Sequence, residues 1–150
     1  SIDSVKELAV SLGMPYVLER WIGGTLTNFK VINARVKRLE EMEKQQTTGE
    51  LDKYTKKERL MFSKELQKMT TRFEGLKKLT RLPDVLFVSS LKEGALPVRE
   101  ARQVAVKIVG IANTDSNPGD IDCAIPANDR SKKSVDLIME MIKKSLRSSD

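Results

Sequence analysis

Two residue types that carry much of protein chemistry are nearly missing from this sequence of 150 residues, which has no histidine and a single cysteine, Cys123. Without histidine there is no Ser-His-Asp or Cys-His catalytic arrangement and no imidazole ligand for zinc or iron. A lone cysteine cannot form an internal disulfide, so we expect Cys123 to be a small buried or half-buried side chain. We therefore predict no catalytic residue, no metal site and no cofactor.

Long apolar runs and aromatic residues are also scarce. No stretch approaches the roughly 18 apolar residues of a membrane helix, so we expect no membrane partner. Aromatic residues make up 5% of the chain and charged residues 32%, which indicates a large solvated or partner-facing surface. The sequence begins with Ser1 and enters a helical pattern almost at once, so we expect it to be a piece of a longer polypeptide.

The net charge of +6 is concentrated in one segment. Residues 1–50 carry 7 basic and 7 acidic side chains, residues 82–150 carry 10 of each, and residues 51–81 carry 10 basic and 4 acidic ones. A localised basic segment is typical of a polyanion-binding surface, and nucleic acid is the commonest such partner. The alternative from charge alone is a solvated helix face without a partner.

Strand-like and helix-like patterns alternate at both ends of the chain. Such alternation predicts an α/β domain with a parallel sheet. Asp3 or Ser4 can cap the first helix, and Gly13 can end it. The predicted order is a helix at 2–12, a strand at 14–18, strands at 85–88, 106–112 and 124–126, and helices at 97–104 and 131–146.

The middle of the chain has a different period, because apolar residues recur there every three or four positions. Each of the two series is a narrow coiled-coil seam. Thr55 and Glu58 predict a capping box at the start of the second helix, and Gly49 predicts a turn between the two helices. We therefore predict an antiparallel coiled-coil hairpin at 25–81, inserted into an α/β domain formed by 1–24 and 82–150. The two seams are Phe29, Ile32, Val36 and Leu39, and then Phe62, Leu66, Met69, Phe73 and Leu76.

The basic residues opposite these seams are the candidate nucleic-acid-binding residues. At 100° per residue, the lysines and the arginine of both helices point away from the apolar seams and remain available to phosphates. One arginine at the base of the hairpin joins them. The predicted set is Arg20, Lys30, Lys37, Arg38, Lys57, Lys64, Lys68 and Lys78.

Two loops and one tryptophan allow a second interpretation. Gly23 and Gly24 form a turn before a helix that could approach a phosphate, but a tight strand-to-helix turn is the favoured interpretation. The loop at 115–122, with Asp115, Asp120 and Asp122, could hold Mg²⁺, although such residues are common in loops. Trp21 could stack on a base, but it is favoured as an anchor between hairpin and sheet.

Four strings carry a resemblance to a known family: GMPYVLERWIGGTLTNFK at 13–30, TKKE at 55–58, LPDVLF at 82–87 and TDSNPGDIDCAIPANDRSKKSV at 114–135. Their order and span resemble ribosomal protein two of the small subunit, in its bacterial or organellar form. The resemblance implies a flavodoxin-like fold with a protruding coiled-coil hairpin. It also implies binding to small-subunit ribosomal RNA, a neighbouring ribosomal protein one, and location in a bacterial or organellar ribosome.

The chain departs from that family in three places. The residues at 88–91 and 113–115 replace acidic family motifs, which weakens any acidic ligand site. The family also has a strand and a helix before the position of Ser1, and that strand lies between those at 14–18 and 85–88. We therefore expect an N-terminal segment of the same polypeptide, or a separate chain, to supply the central strand. Direct pairing of the two flanking strands would contradict this expectation.

The favoured function is that of a structural, non-enzymatic constituent of the small ribosomal subunit, which binds RNA phosphates and helps neighbouring proteins to dock. The alternatives are an enzyme or receiver domain of flavodoxin-like fold that uses the loop at 115–122, and a coiled-coil adaptor that binds only protein. Stabilisation by Mg²⁺ or a nucleotide would favour the enzyme or receiver domain, whereas the adaptor predicts no salt-sensitive RNA binding.

Overall fold

The fold combines an open parallel sheet with five α-helices, in a computed structural model that describes residues 2–149. Its strands are β1 (Val85–Val88), β2 (Lys107–Ala112) and β3 (Cys123–Pro126), and its helices are α1 (Ile2–Ser11), α2 (Phe29–Thr47), α3 (Lys56–Phe73), α4 (Ala95–Gln103) and α5 (Lys132–Arg147). The strands lie in the order β1-β2-β3, with Val85 beside Lys107 and Val109 beside Cys123. The chain is thus an α/β protein, as predicted.

Apolar layers cover both faces of the sheet. Alternate residues of a strand point to opposite faces, so Leu86 and Phe87 enter different layers. Leu86 and Ile108 pack with α4 residues such as Ala101, which is fully buried. Phe87 packs on the other side with Val135 of α5 and with residues of α1. The sheet therefore lies between α4 on one face and α1 with α5 on the other.

The predicted helix boundaries in this domain hold to within about two residues. Ser131 caps α5 by accepting a hydrogen bond from the Ser134 N–H, and Gly13 follows α1 with φ +66. The predicted cap of α1 is wrong, because the helix begins at Ile2 and so contains both Asp3 and Ser4. Helix α4 begins at Ala95, two residues before Pro97, since a proline is tolerated anywhere in the first turn, where N–H groups have no helical acceptor.

The strand predicted at 14–18 does not form. This segment is irregular, and its backbone contact with a distant element is one bond from the Tyr16 N–H to the Gly75 carbonyl, 2.9 Å long. Among residues 2–149 no strand lies beside it to complete a ladder. Strand β1 does not pair with it either, so the direct pairing that would contradict a missing central strand is not observed.

Helices α2 and α3 pack through the predicted seams. Ile32, Val36 and Leu39 of α2 form one buried cluster with Leu66 and Phe73 of α3. Thr55 and Glu58 make the predicted capping box: the Glu58 N–H donates to Thr55 Oγ1 and the Thr55 N–H donates to the Glu58 carboxylate. Gly49, with φ +75, lies in the turn that follows α2.

The two helices overlap over only part of their lengths. Lys77 lies just beyond α3, and its Nζ is 2.7 Å from Glu43 Oε1 in the C-terminal third of α2. In a full-length antiparallel pair Lys77 would lie near the start of α2, about 21 Å from Glu43 along the helix axis. Between residues 52 and 65 every side chain is exposed except Phe62, which is half-buried. The N-terminal half of α3 therefore has solvent on nearly all sides.

Candidate nucleic-acid interface

All eight predicted phosphate-binding residues are exposed. Arg38 pairs with Glu41 at 3.7 Å on the α2 surface. Within residues 2–149, no carboxylate lies within ion-pair distance of the other seven. Their charges are therefore available to an external anion.

Lys57, Lys64 and Lys68 form the most continuous part of this surface. Buried Leu66 and Phe73 fix the rotation of α3, and the three lysines lie on the opposite side of the helix. The two acidic residues of the same half lie to one side of this row, Glu58 about 100° and Glu65 about 80° from its centre. Among residues 2–149 neither carboxylate lies within ion-pair distance of the three lysines, so this face of α3 presents mainly positive charge.

The remaining predicted residues are more dispersed. Lys30 and Lys37 lie on the outer side of α2, where Glu41 also lies. Lys78 does not belong to the α3 face, because α3 ends at Phe73 and a short turn, Glu74–Leu76, follows it. Extending the helical rotation to position 78 was therefore wrong, and the Lys78 ammonium lies close to Gly13 instead.

The double-glycine turn is closed to phosphate by a side chain of the protein itself. Glu100 of α4 is 4% exposed, and its carboxylate accepts hydrogen bonds from the Gly24 N–H at 2.6 Å and the Leu26 N–H at 3.0 Å. Paired backbone N–H groups of this kind form an anion site. Because Glu100 occupies that site, the favoured prediction of a structural turn into the helix is correct, although the strand expected before the turn does not form.

The acidic loop does not bring its carboxylates together. Asp115 pairs with Arg130 at 2.5 Å, and Asp120 pairs with Arg102 at 2.7 Å. Asp122 accepts a hydrogen bond from the Ile108 N–H at 2.8 Å, and this bond holds its pKa below the usual range, with a smaller contribution from Lys107. No cluster of metal-ligating side chains occurs in the part of the chain that the structure describes. The loop thus has no geometry that favours the Mg²⁺ alternative.

The carboxyl ends of the three strands meet at a small polar cluster. Asp129, after β3, accepts hydrogen bonds from Ser90 Oγ at 2.6 Å and from Asn113 Nδ2 at 3.0 Å. The Ser90 hydroxyl is the main cause of the lowered pKa of Asp129, and Asn113 contributes as well. These contacts tie the ends of β1, β2 and β3 to one another.

The prediction for Trp21 is confirmed, and the prediction for Cys123 is wrong. Trp21 is half-buried and packs against the apolar layer between the sheet and α4, so its predicted role as an anchor is confirmed. Cys123 is exposed on β3, an outer strand of the sheet, so the prediction of a buried or half-buried thiol is wrong. Among residues 2–149 no helix is long and apolar enough to cross a membrane.

Three features of the structure were not predicted from the sequence. A glutamate within a helix normally predicts solvent exposure, so nothing marked Glu100 as buried. The Lys77–Glu43 pair joins residues 34 positions apart and follows no local spacing. The exposure of Leu60 and Met61 could have been predicted, because both are apolar residues that fall outside the α3 seam.

The fold and surface define an α/β protein with a basic helical segment. Comparison with known proteins identifies the family: the family model for Ribosomal protein S2 matches residues 2–149, and the chain belongs to this family. The small ribosomal subunit protein uS2 of Chlorobaculum tepidum is 40% identical over 138 residues, 92% of this chain and 55% of the relative. The protein of the same name from Mycoplasmopsis agalactiae is 44% identical over 140 residues, 93% of this chain and 44% of the relative.

The matches cover nearly all of this chain but only about half of each relative. The chain spans about half the length of the curated relatives that it matches. Those relatives come from bacteria, and their shared name places them in the small ribosomal subunit.

Proposed function

We propose that the chain is part of a structural protein of the small ribosomal subunit and binds ribosomal RNA mainly through phosphates. The observation that carries this proposal is the exposed lysine row Lys57, Lys64 and Lys68. It has no ion-pair partner among residues 2–149, and it lies in the one segment with excess positive charge. Phosphate contacts position a protein without reading base sequence, so specificity would come from RNA shape. Membership in the Ribosomal protein S2 family supports the same assignment.

Changing Lys57, Lys64 and Lys68 together to Glu tests this proposal in a filter-binding assay with small-subunit ribosomal RNA across a salt series. Each lost phosphate contact removes about 0.7 to 0.9 from the slope of log K against log salt, so binding should weaken and its salt dependence should flatten. The control changes the exposed Lys132, Lys133 and Lys144 to Glu, an equal change of charge on α5. Equal loss in both variants, or no loss in the first, would contradict the assignment to α3.

Helices α2 and α3 are proposed to form a coiled-coil hairpin on a flavodoxin-like domain. The shared apolar cluster supports the pairing, and the exposure of residues 52–65 supports protrusion. The Lys77–Glu43 ion pair limits the coiled coil to the C-terminal half of α3. The exposed N-terminal half is then the tip that reaches RNA.

The free edge of β1 is proposed to receive a further strand, from the same polypeptide or a separate chain. The Lys107 N–H donates to the Asp84 carbonyl, so the backbone groups of Val85 and Phe87 point away from β2. No described residue bonds to them. Hydrogen exchange at these two amides should be fast in the isolated chain and slow after assembly; fast exchange in both states would contradict a paired strand.

The proposals about further partners are based on family membership alone. We propose that a neighbouring small-subunit protein, ribosomal protein one, docks near this chain, and that the ribosome in question is bacterial or organellar. The bacterial origin of the relatives favours the bacterial cytoplasm. No observation favours the enzyme alternative, because each aspartate of the loop at 115–122 is already engaged by a different partner.

A further inference from the structure

Two exposed apolar side chains interrupt the lysine face of α3. Leu60 is 56% exposed and Met61 is 63% exposed, whereas Leu66 and Phe73 in the seam of the same helix are buried. They follow Lys57 by about one turn and precede Lys64 by about one turn, on either side of the lysine row. A surface that meets only phosphate oxygens and water gains nothing from apolar side chains at this position.

The side chains on this face favour one kind of RNA surface over the others. Recognition of unpaired bases uses aromatic rings or arginine planes as stacking platforms. The lysine face between Lys57 and Lys68 has neither, because Phe62 and Arg59 lie on the opposite side of the helix. The Tyr54 ring lies before the helix, with the Lys53 ammonium 6.0 Å from its centre. The major groove of an RNA duplex is too deep and narrow for a helix, whereas its minor groove is wide and shallow.

We infer that Leu60 and Met61 pack on the ribose surface of an RNA minor groove while Lys57 and Lys64 hold the phosphates of its two strands. This inference rests on the proposed RNA-binding function and adds the element of RNA that the face recognises. Lys57 and Lys64 are separated by about 10 Å along the helix axis, so they can hold separate phosphates while the apolar pair lies between them. Among residues 2–149 no carboxylate forms an ion pair with Lys57 or Lys64, which fits binding to a polyanion with carbon surface between its charges.

The test replaces both apolar residues by polar ones of similar length, as Leu60→Gln with Met61→Gln, in the full chain. Binding to in vitro transcribed small-subunit ribosomal RNA should weaken by roughly fivefold to tenfold, because apolar burial is lost. The slope of log K against log salt should stay unchanged, because no phosphate contact is removed. Hydroxyl-radical footprinting should lose protection at riboses of two strands that face one minor groove.

A matched control comes from α5, where Leu137 is 59% exposed and Met141 is 60% exposed. Leu137→Gln with Met141→Gln makes the same two chemical changes at exposed helix positions, four residues apart instead of adjacent, and it should leave RNA binding unaltered. Thermal melting of both variants should match that of the unaltered chain, since none of the four side chains is buried.

Three outcomes separate this inference from the function on which it rests. Unaltered RNA affinity in the Leu60 and Met61 variant overturns the inference, and so does weaker binding to small subunits with unaltered binding to free ribosomal RNA, which would mean that a protein covers the pair. The proposed function fails separately if the variant with Lys57, Lys64 and Lys68 changed to Glu keeps full affinity and salt dependence.

Discussion

Glu100 places a carboxylate in the interior of the molecule, between α4 and the turn that contains Gly24. Its two oxygens accept hydrogen bonds from the Gly24 and Leu26 N–H groups, so neither amide is left unpaired in this buried position. Gly24 has φ +92, a conformation that side chains other than glycine rarely adopt. The carboxylate therefore holds in place the turn that leads from the irregular segment after α1 into α2.

Replacing Glu100 by Gln should lower the free energy of unfolding by about 1–3 kcal/mol, because one of the two acceptors becomes an N–H donor that faces an amide N–H. Urea denaturation measures this change. Glu93→Gln, at an exposed position before α4, is the control and should have little effect. Equal stability of the Glu100 variant and the unaltered chain would show that the carboxylate does not hold the turn.

Ser90→Ala should remove the main cause of the lowered pKa of Asp129. A carboxyl group whose pKa is lower in the folded state stabilises the fold above the unfolded-state pKa of about 3.9, and this contribution disappears as the pH falls through the folded-state pKa. The variant should therefore be less stable near neutral pH, and the difference should shrink below about pH 4. Unfolding measured at both pH values checks this, and a difference that persists unchanged in acid would contradict it.

At the scale of the elements, α2 and α3 offer a comparison between two phenylalanines of one seam. Phe73 is 2% exposed in the shared cluster, whereas Phe62 is half-buried beyond the region of overlap. Phe73→Ala should cost about 3–5 kcal/mol of unfolding free energy. Phe62→Ala should cost only about 1–2 kcal/mol, because less of its surface leaves water on folding. Equal costs would contradict the partial overlap of the helices.

Local chemistry explains which elements could be predicted from the sequence. The capping box of Thr55 and Glu58 involves residues three positions apart, and the strand VLFV at 85–88 carries its apolar pattern within four residues. The segment at 14–18 has the same kind of pattern but needs a neighbouring strand, which no local signal supplies. Just beyond the end of α3 at Phe73, Gly75 packs against Tyr16, a contact with a distant segment that likewise has no local signal.

In the candidate site, too, features set by local patterns could be predicted and contacts between distant residues could not. Seven of the eight predicted cations have no ion-pair partner among residues 2–149, and the rotation of α3 follows from its apolar period. The placement of Lys78 on the α3 face is wrong because the helix ends before it, and its contact with RNA stays a prediction. Glu100 and the Lys77–Glu43 pair depend on residues brought together by the fold, at separations of 74 to 76 and of 34 positions.

For the whole molecule, the α/β domain and the basic helical segment have different roles in the proposed function. The domain holds the start of α2 through Leu26 and Trp21, which pack in the apolar layer beside α4. The exposed half of α3 presents its positive charge to solvent. The domain would therefore position this charge, and the segment at 51–81 would supply most of the affinity for RNA.

Co-sedimentation of the chain with small ribosomal subunits across a salt series tests the central claim most directly. The account predicts association that weakens linearly in log K with log salt. It also predicts a slope that is smaller by about 2 when Lys57, Lys64 and Lys68 are changed to Glu. Association that does not respond to salt, or a slope that these three changes leave unaltered, would contradict an RNA-binding role for this face of α3.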